Sequence, residues 1–95
     1  MYAVIRHYHF KQEDGKRIDQ LVQEILVPML KKAEGFVRYY WLDTGAGEGA
    51  SLSVFQDKAG ADESMHLAAD FVKKHLADIT IQKPEMIEGL IKAHD

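Results

Sequence analysis

The stretch Phe36–Gln56 reads FVRYYWLDTGAGEGASLSVFQ, and its pattern predicts a β-hairpin. Phe36–Asp43 is rich in the aromatic and β-branched residues that strands favour. Ala50–Gln56 alternates apolar with small polar residues and predicts the partner strand. Between them, Thr44–Gly49 holds three glycines, which favour a loop. The other elements are placed around this hairpin.

On the N-terminal side, Tyr2–Phe10 (YAVIRHYHF) predicts a strand and Lys16–Glu34 predicts a helix. Pro28 lacks a backbone donor, so it either kinks this helix or ends it near Leu26. The apolar residues of the helix recur at spacings of three and four, as one buried face requires. They are Ile18, Leu21, Val22, Ile25, Leu26, Met29 and Leu30.

On the C-terminal side, Ala59–Leu76 predicts a second helix with Asp57 as its N-cap. Met86–Ala93 predicts a last strand, with a short helix as the alternative. The residues expected to face the core from the second helix are Ala61, Met65, Ala68, Ala69, Val72 and Leu76.

The order β-α-β-β-α-β over residues 1–95 predicts one α+β domain of the ferredoxin-like class. In this class a four-stranded antiparallel sheet carries both helices on one face. The strands are apolar on both faces: Tyr39 and Trp41 lie on one side of their strand, and Tyr40 and Leu42 on the other. Since the chain has no third layer to cover the second face, we expect a homodimer that closes through it.

Composition limits the classes of function. The chain has 12 Lys and Arg against 15 Asp and Glu, a net charge of −3, so nucleic-acid binding is not expected. There is no cysteine, which excludes disulfides and thiolate metal sites. No apolar run approaches the about 18 residues of a membrane span, so we expect a cytoplasmic protein without membrane contact.

Three residues are catalytic candidates. His75 lies late in the second helix and could relay a proton or bind a haem iron. The alternative is a histidine that interacts with the last carbonyls of the helix. Arg6 and His7 face opposite sides of the first strand, and either could hold a substrate oxyanion. For Arg6, an ion pair with Asp43 or Glu88 is the alternative.

Four residues are candidates for ligand binding. Tyr39 and Trp41 share a strand face and could stack on a planar aromatic ligand, or simply pack in the core or in a dimer. Ser64 and Phe71 lie on the same flank of the second helix as His75.

His7 and His9 also face the same side of their strand, as metal ligands could. Because no third ligand is visible nearby, we predict no metal site. The glycines of the hairpin loop precede a strand, so they do not form a phosphate loop.

Three segments resemble the antibiotic-biosynthesis-monooxygenase superfamily of dimeric α+β barrels. They are Glu34–Tyr40 (EGFVRYY), Ser51–Asp57 (SLSVFQD) and Ala59–His75 with its late FxxxH. The segment Ser53–Ser64 is similar to that of small bacterial members without an assigned activity. The resemblance covers nearly the whole chain. It implies a homodimer and activities that range from cofactor-independent oxygenation of polyketides and quinols to haem degradation.

Haem-degrading members combine an Asn on the first strand with a Trp and a His on the second helix. Phe71 and His75 match the end of that motif, but the Trp position falls on Met65 and the chain contains no Asn. The resemblance therefore implies no cofactor, with haem as a minor alternative.

Two functions remain open at this stage. The first is a cofactor-independent monooxygenase for a planar, quinol-like molecule. The second is a non-catalytic small-ligand-binding or stress-response homodimer. A cavity above ~300 Å³ lined by His75 and Trp41 would favour ligand chemistry, whereas an interior filled by aromatic rings would favour a structural role.

Overall fold

The computed structural model describes all residues, 1–95, and has the predicted order of elements. The strands form one antiparallel sheet in the order β2-β3-β1-β4, with both helices on one face. This confirms the predicted α+β class. The four strands are β1 (Tyr2–His9), β2 (Phe36–Gly45), β3 (Glu48–Phe55) and β4 (Glu85–Leu90).

The β2–β3 hairpin is tighter than the predicted loop Thr44–Gly49. Only Ala46 and Gly47 lie between the strands, and both have positive φ, 53° and 77°. Such turns match the right-handed twist of the strands they join. The end of β1 is fastened to the turn, since the Phe10 amide donates to the Gly47 carbonyl at 2.8 Å.

The first helix runs through Pro28. It consists of an α-helical segment, Gly15–Leu21, a π-helical segment, Val22–Leu26, and a second α-helical segment, Val27–Lys31, which has Pro28 in its first turn. The proline cannot donate to the preceding turn, and the wider π turn accommodates it. The widening also keeps residues spaced by four on one face: Ile18, Val22, Leu26 and Leu30 are all buried.

The second helix, Lys58–His75, begins as predicted: the Asp57 carboxylate accepts a hydrogen bond from the Gly60 amide at 2.8 Å. Its predicted core face is partly wrong. Ser64 and Phe71 are buried, whereas Met65 is half-buried and Ala69 is exposed. The helix is rotated because burying the ring of Phe71 removes more apolar surface from water than burying an alanine does.

The core lies between the sheet and the helices. Tyr2, Val4 and Phe55 contribute to it from the sheet. On the opposite face nothing covers the sheet, and Ile5 and Ile87 are 44% and 71% exposed. No helix of the structure is both long enough and apolar enough to reach across a bilayer.

Candidate ligand-binding site

A small cavity, partly open to solvent, lies between the sheet and the helices. Its volume is about 40 Å³, and the rings of Tyr8, Tyr39, Trp41 and Phe71 form much of its wall. The Trp41 ring is held in place because its Nε1 donates to Asp19 Oδ1 at 2.7 Å. A space of this size holds little more than a water molecule, so the rings largely fill the interior.

An open groove of about 370 Å³ continues this cavity towards solvent. It runs between β1, the second helix and the segment 81–84, and it shares Tyr8, Ala68, Val72 and Ile81 with the cavity. The charged residues that line it are Arg6, Lys73 and Lys83, all of them cationic. The groove is therefore electropositive in a chain whose net charge is negative.

Arg6 forms the inner wall of the groove. It is only 7% exposed, and no hydrogen bond or ion pair joins its guanidinium to another side chain. The expected alternative, an ion pair with Asp43 or Glu88, is not formed; Glu88 accepts a hydrogen bond from the Tyr2 hydroxyl instead. The rest of the side chain is buried, while the guanidinium nitrogens reach solvent through the groove without a counterion, so this site favours an anion.

Ser51 lies directly opposite Arg6 in the β1–β3 register. Its hydroxyl is buried and makes no well-formed hydrogen bond, although it lies near enough to the phenols of Tyr8 and Tyr39 to lower the pKa of both slightly. On the helix side of the sheet, the guanidinium thus has no counterion and the hydroxyl has only loosely placed phenols as neighbours.

The two tyrosines of the site are held in their neutral form. Burial raises the pKa of the Tyr8 phenol, and Arg6 opposes this only in part. Burial raises the pKa of Tyr39 more strongly, and the neighbouring Tyr8 adds to the effect. At neutral pH both phenols can donate hydrogen bonds, but neither is a base.

The structure brings together four of the predicted site residues: Arg6 in the groove, and Tyr39, Trp41 and Phe71 in the adjoining cavity. Ser64 is buried, and its hydroxyl donates to the Ala61 carbonyl at 2.6 Å. That bond satisfies the hydroxyl within its own helix.

The two histidines lie elsewhere. His75 is half-buried with its ring 5.5 Å from that of Phe71, but it lines neither the cavity nor the groove. His7 lies on the far face of the sheet, as the alternation of β1 predicts. Their catalytic roles stay predictions.

Sequence reasoning missed three residues of the site: Tyr8, Lys73 and Lys83. Tyr8 could have been found, because it lies two residues from Arg6 on the same strand face. The two lysines could not, since only the packing of the second helix and of segment 81–84 against β1 brings them to the groove.

No family model matches the sequence, and no curated protein matches it. Solved structures do match. A dimeric ferredoxin-like protein from an uncultured marine organism has 16% identity and a TM-score of 0.73, over 100% of this chain and 98% of that one. An antibiotic biosynthesis monooxygenase has 18% identity and a TM-score of 0.75, over 98% of this chain and 100% of that one.

The haem degrader MhuD from Mycobacterium tuberculosis also matches, with 10% identity and a TM-score of 0.77, over 100% of this chain and 99% of that one. At these identities the likeness establishes the fold. The chain has the ferredoxin-like fold of the antibiotic-biosynthesis-monooxygenase-like proteins, which confirms the predicted resemblance at that level.

Haem does not fit the residues present. The structure of MhuD holds two haems in its active site. Here the aromatic cavity is about 40 Å³, far smaller than a porphyrin, and no histidine lines it or the groove.

Proposed function

We propose that this protein binds a small planar aromatic anion in the groove, with the ring resting against the apolar residues that the groove shares with the cavity. The observation that carries the proposal is Arg6: a guanidinium without a counterion, on a groove whose charged residues are all cationic. The groove volume of about 370 Å³ lies in the range of small-molecule sites, whereas the cavity alone does not.

Each part of the site suits one part of such a ligand. The guanidinium of Arg6 offers a planar set of donors for a carboxylate, phenolate or enolate oxygen. Tyr8 offers aromatic surface where the groove meets the cavity, and the Trp41 ring packs against it from the cavity side, with ring centroids 5.7 Å apart. Lys73 and Lys83 at the groove add attraction for the anion.

The test uses 2-hydroxy-1,4-naphthoquinone, a planar anion at neutral pH. Trp41 is the sole tryptophan, and its ring packs against Tyr8 of the groove, so its fluorescence reports on a ligand bound beside Tyr8. We expect saturable quenching by the naphthoquinone. Arg6→Met should weaken binding at least tenfold, because the ligand's charge loses its partner.

Arg38→Met is the matched control, since Arg38 is exposed on β2 and does not line the groove. It should leave the affinity unchanged. The uncharged parent 1,4-naphthoquinone should bind with little dependence on Arg6. Equal affinity of wild type and Arg6→Met for the anion would contradict the proposal.

The proposed assembly is a homodimer that closes over the bare face of the sheet. The register aligns Tyr40, Leu52, Ile5 and Ile87 in one apolar row across all four strands. A row of this kind left in water is a typical interaction surface, and a structure of the same fold is described as dimeric. We place this dimer in the cytoplasm, as the sequence predicts; fractionation of cells tests the location.

Cofactor-independent oxygenation is the second candidate function. A ligand held as its anion beside Arg6 is electron-rich and could reduce oxygen itself. For 1,4-naphthoquinol the balance is quinol plus O₂ to 2-hydroxy-1,4-naphthoquinone plus water. Two electron pairs leave the substrate, and one oxygen atom enters it. The structural likeness to an antibiotic biosynthesis monooxygenase favours this candidate.

Oxygen uptake with 1,4-naphthoquinol, above the rate of uncatalysed oxidation, tests the second candidate. Because no histidine lines the site, we expect His75→Ala to retain the wild-type rate and Arg6→Met to lose it. A large loss in His75→Ala would instead restore the predicted role of His75 as proton carrier. Binding without oxygen uptake would leave the non-catalytic function.

A further inference from the structure

A cluster of two histidines and two glutamates lies on the bare face of the sheet, away from the groove. The β1–β3 pairing places Glu48 opposite His9, and the β1–β4 pairing places Glu85 opposite His7. In the single chain the histidine side chains are 37% and 38% exposed, so solvent ions can reach them before the proposed dimer closes over this face.

Three ligand atoms of this cluster converge. Glu48 Oε1 lies 3.0 Å from His7 Nε2 and 3.7 Å from His9 Nδ1. The three atoms all lie within 4.8 Å of one another. Ligands about 2.1 Å from a tetrahedral zinc ion are about 3.4 Å apart, so the two contacts of Glu48 are already near ligand spacing, and the two histidines need only a small adjustment to reach it.

Glu85 contacts the opposite edges of the same two rings. Its Oε1 lies 3.4 Å from His7 Nδ1 and 3.4 Å from His9 Nε2. Histidines that bind metals generally donate the other ring N–H to a carboxylate or carbonyl, which fixes the tautomer and the ring orientation. The Glu85 carboxylate is hydrogen-bonded to His9 Nε2 and lies within ion-pair distance of His7 Nδ1.

We propose that His7 Nε2, His9 Nδ1 and the Glu48 carboxylate bind a divalent transition-metal ion of the zinc type, with Glu85 as the positioning residue. Two imidazoles exclude hard cations such as Mg²⁺ as the preferred occupant, because those favour oxygen ligands. With three protein ligands, one position stays open to water.

This site goes beyond the proposed ligand binding and does not depend on it, since the sheet separates the cluster from Arg6. Glu48 supplies the third ligand, which the sequence near the two histidines does not reveal. It is remote in the chain and reaches the histidines only through the pairing of β3 with β1.

Titration of the untagged full chain with Co²⁺ tests the proposal, because cobalt bound by nitrogen and oxygen ligands in a low-symmetry site absorbs strongly in the visible. We expect one ion per chain, displaced by Zn²⁺. Glu48→Gln and His9→Ala should each weaken binding at least tenfold. Glu85→Gln should keep the stoichiometry and weaken binding about tenfold, the loss typical of an outer-shell carboxylate.

His66→Ala is the matched control, since His66 is exposed on the second helix. It should bind like wild type. Glu48→Gln preserves side-chain shape, so circular dichroism can show that its loss of metal is not a loss of fold. Absence of binding in wild type, or equal binding by wild type and Glu48→Gln, would show that the cluster forms ion pairs only and would overturn the proposal.

Discussion

At the scale of single residues, the buried hydroxyl of Ser51 lowers the free energy of unfolding. It makes no well-formed hydrogen bond, and a buried hydroxyl left wholly unbonded costs about 1–3 kcal/mol, which the loosely placed phenols of Tyr8 and Tyr39 reduce. Ser51→Ala should therefore raise the free energy of unfolding by about 1 kcal/mol in urea denaturation. Ser64→Ala is the control: its hydroxyl is bonded to Ala61, so removal should give no such gain. Equal gains would contradict this account.

The buried phenol of Tyr39 makes the free energy of unfolding fall at alkaline pH. Burial raises the pKa of its phenol, so the folded chain keeps the proton to higher pH than the unfolded chain does. The stabilisation of the folded state that comes from the neutral Tyr39 phenol is complete below the ordinary tyrosine pKa of about 10. It is lost as the pH rises above that value. In urea denaturation at stepped pH, Tyr39→Phe should flatten this decline, whereas Tyr40→Phe at an exposed position should not.

At the scale of the elements, the conformation of the hairpin turn requires a glycine at position 47. Its φ is +77°, and a Cβ there would collide with the Phe10 carbonyl oxygen. Gly47→Ala should lower the free energy of unfolding by more than about 1 kcal/mol. Gly89→Ala in β4, where a Cβ meets nothing, should be neutral or stabilising. Thermal melts of the two variants make the comparison, and equal melting temperatures would contradict it.

The two helices show how far hydrophobic periodicity in the sequence predicts the course and the buried face of a helix. The first helix passes Pro28 because a π-helical turn absorbs it, a choice that the sequence leaves open. The second helix has the predicted bounds to within one residue, but its rotation differs. Its flank of Ser64 and Phe71 and its flank of Met65 and Ala69 each pair one large apolar side chain with a small residue, so the periodicity leaves both open, and packing of the Phe71 ring against the sheet decides between them.

At the scale of the whole molecule, the bare sheet face governs assembly. Ile87→Lys places a charge in the apolar row and should convert the proposed dimer to a monomer of 10.8 kDa in sedimentation equilibrium at micromolar concentration. Met86→Lys changes the adjacent residue of β4, which points to the other face, and should leave the dimer intact. A monomeric wild type would remove the dimer from the proposal.

The sequence by itself determined the order of the elements, the sheet with its two helices, and which residues share a strand face. These properties follow from local periodicity and turn chemistry, which act over a few residues. Only the tertiary structure decided which side chains meet. It brought Lys73 and Lys83 to Arg6, left His75 outside the cavity, and set Glu48 beside His7. Such contacts depend on strand register and helix rotation, which are set by packing between distant segments.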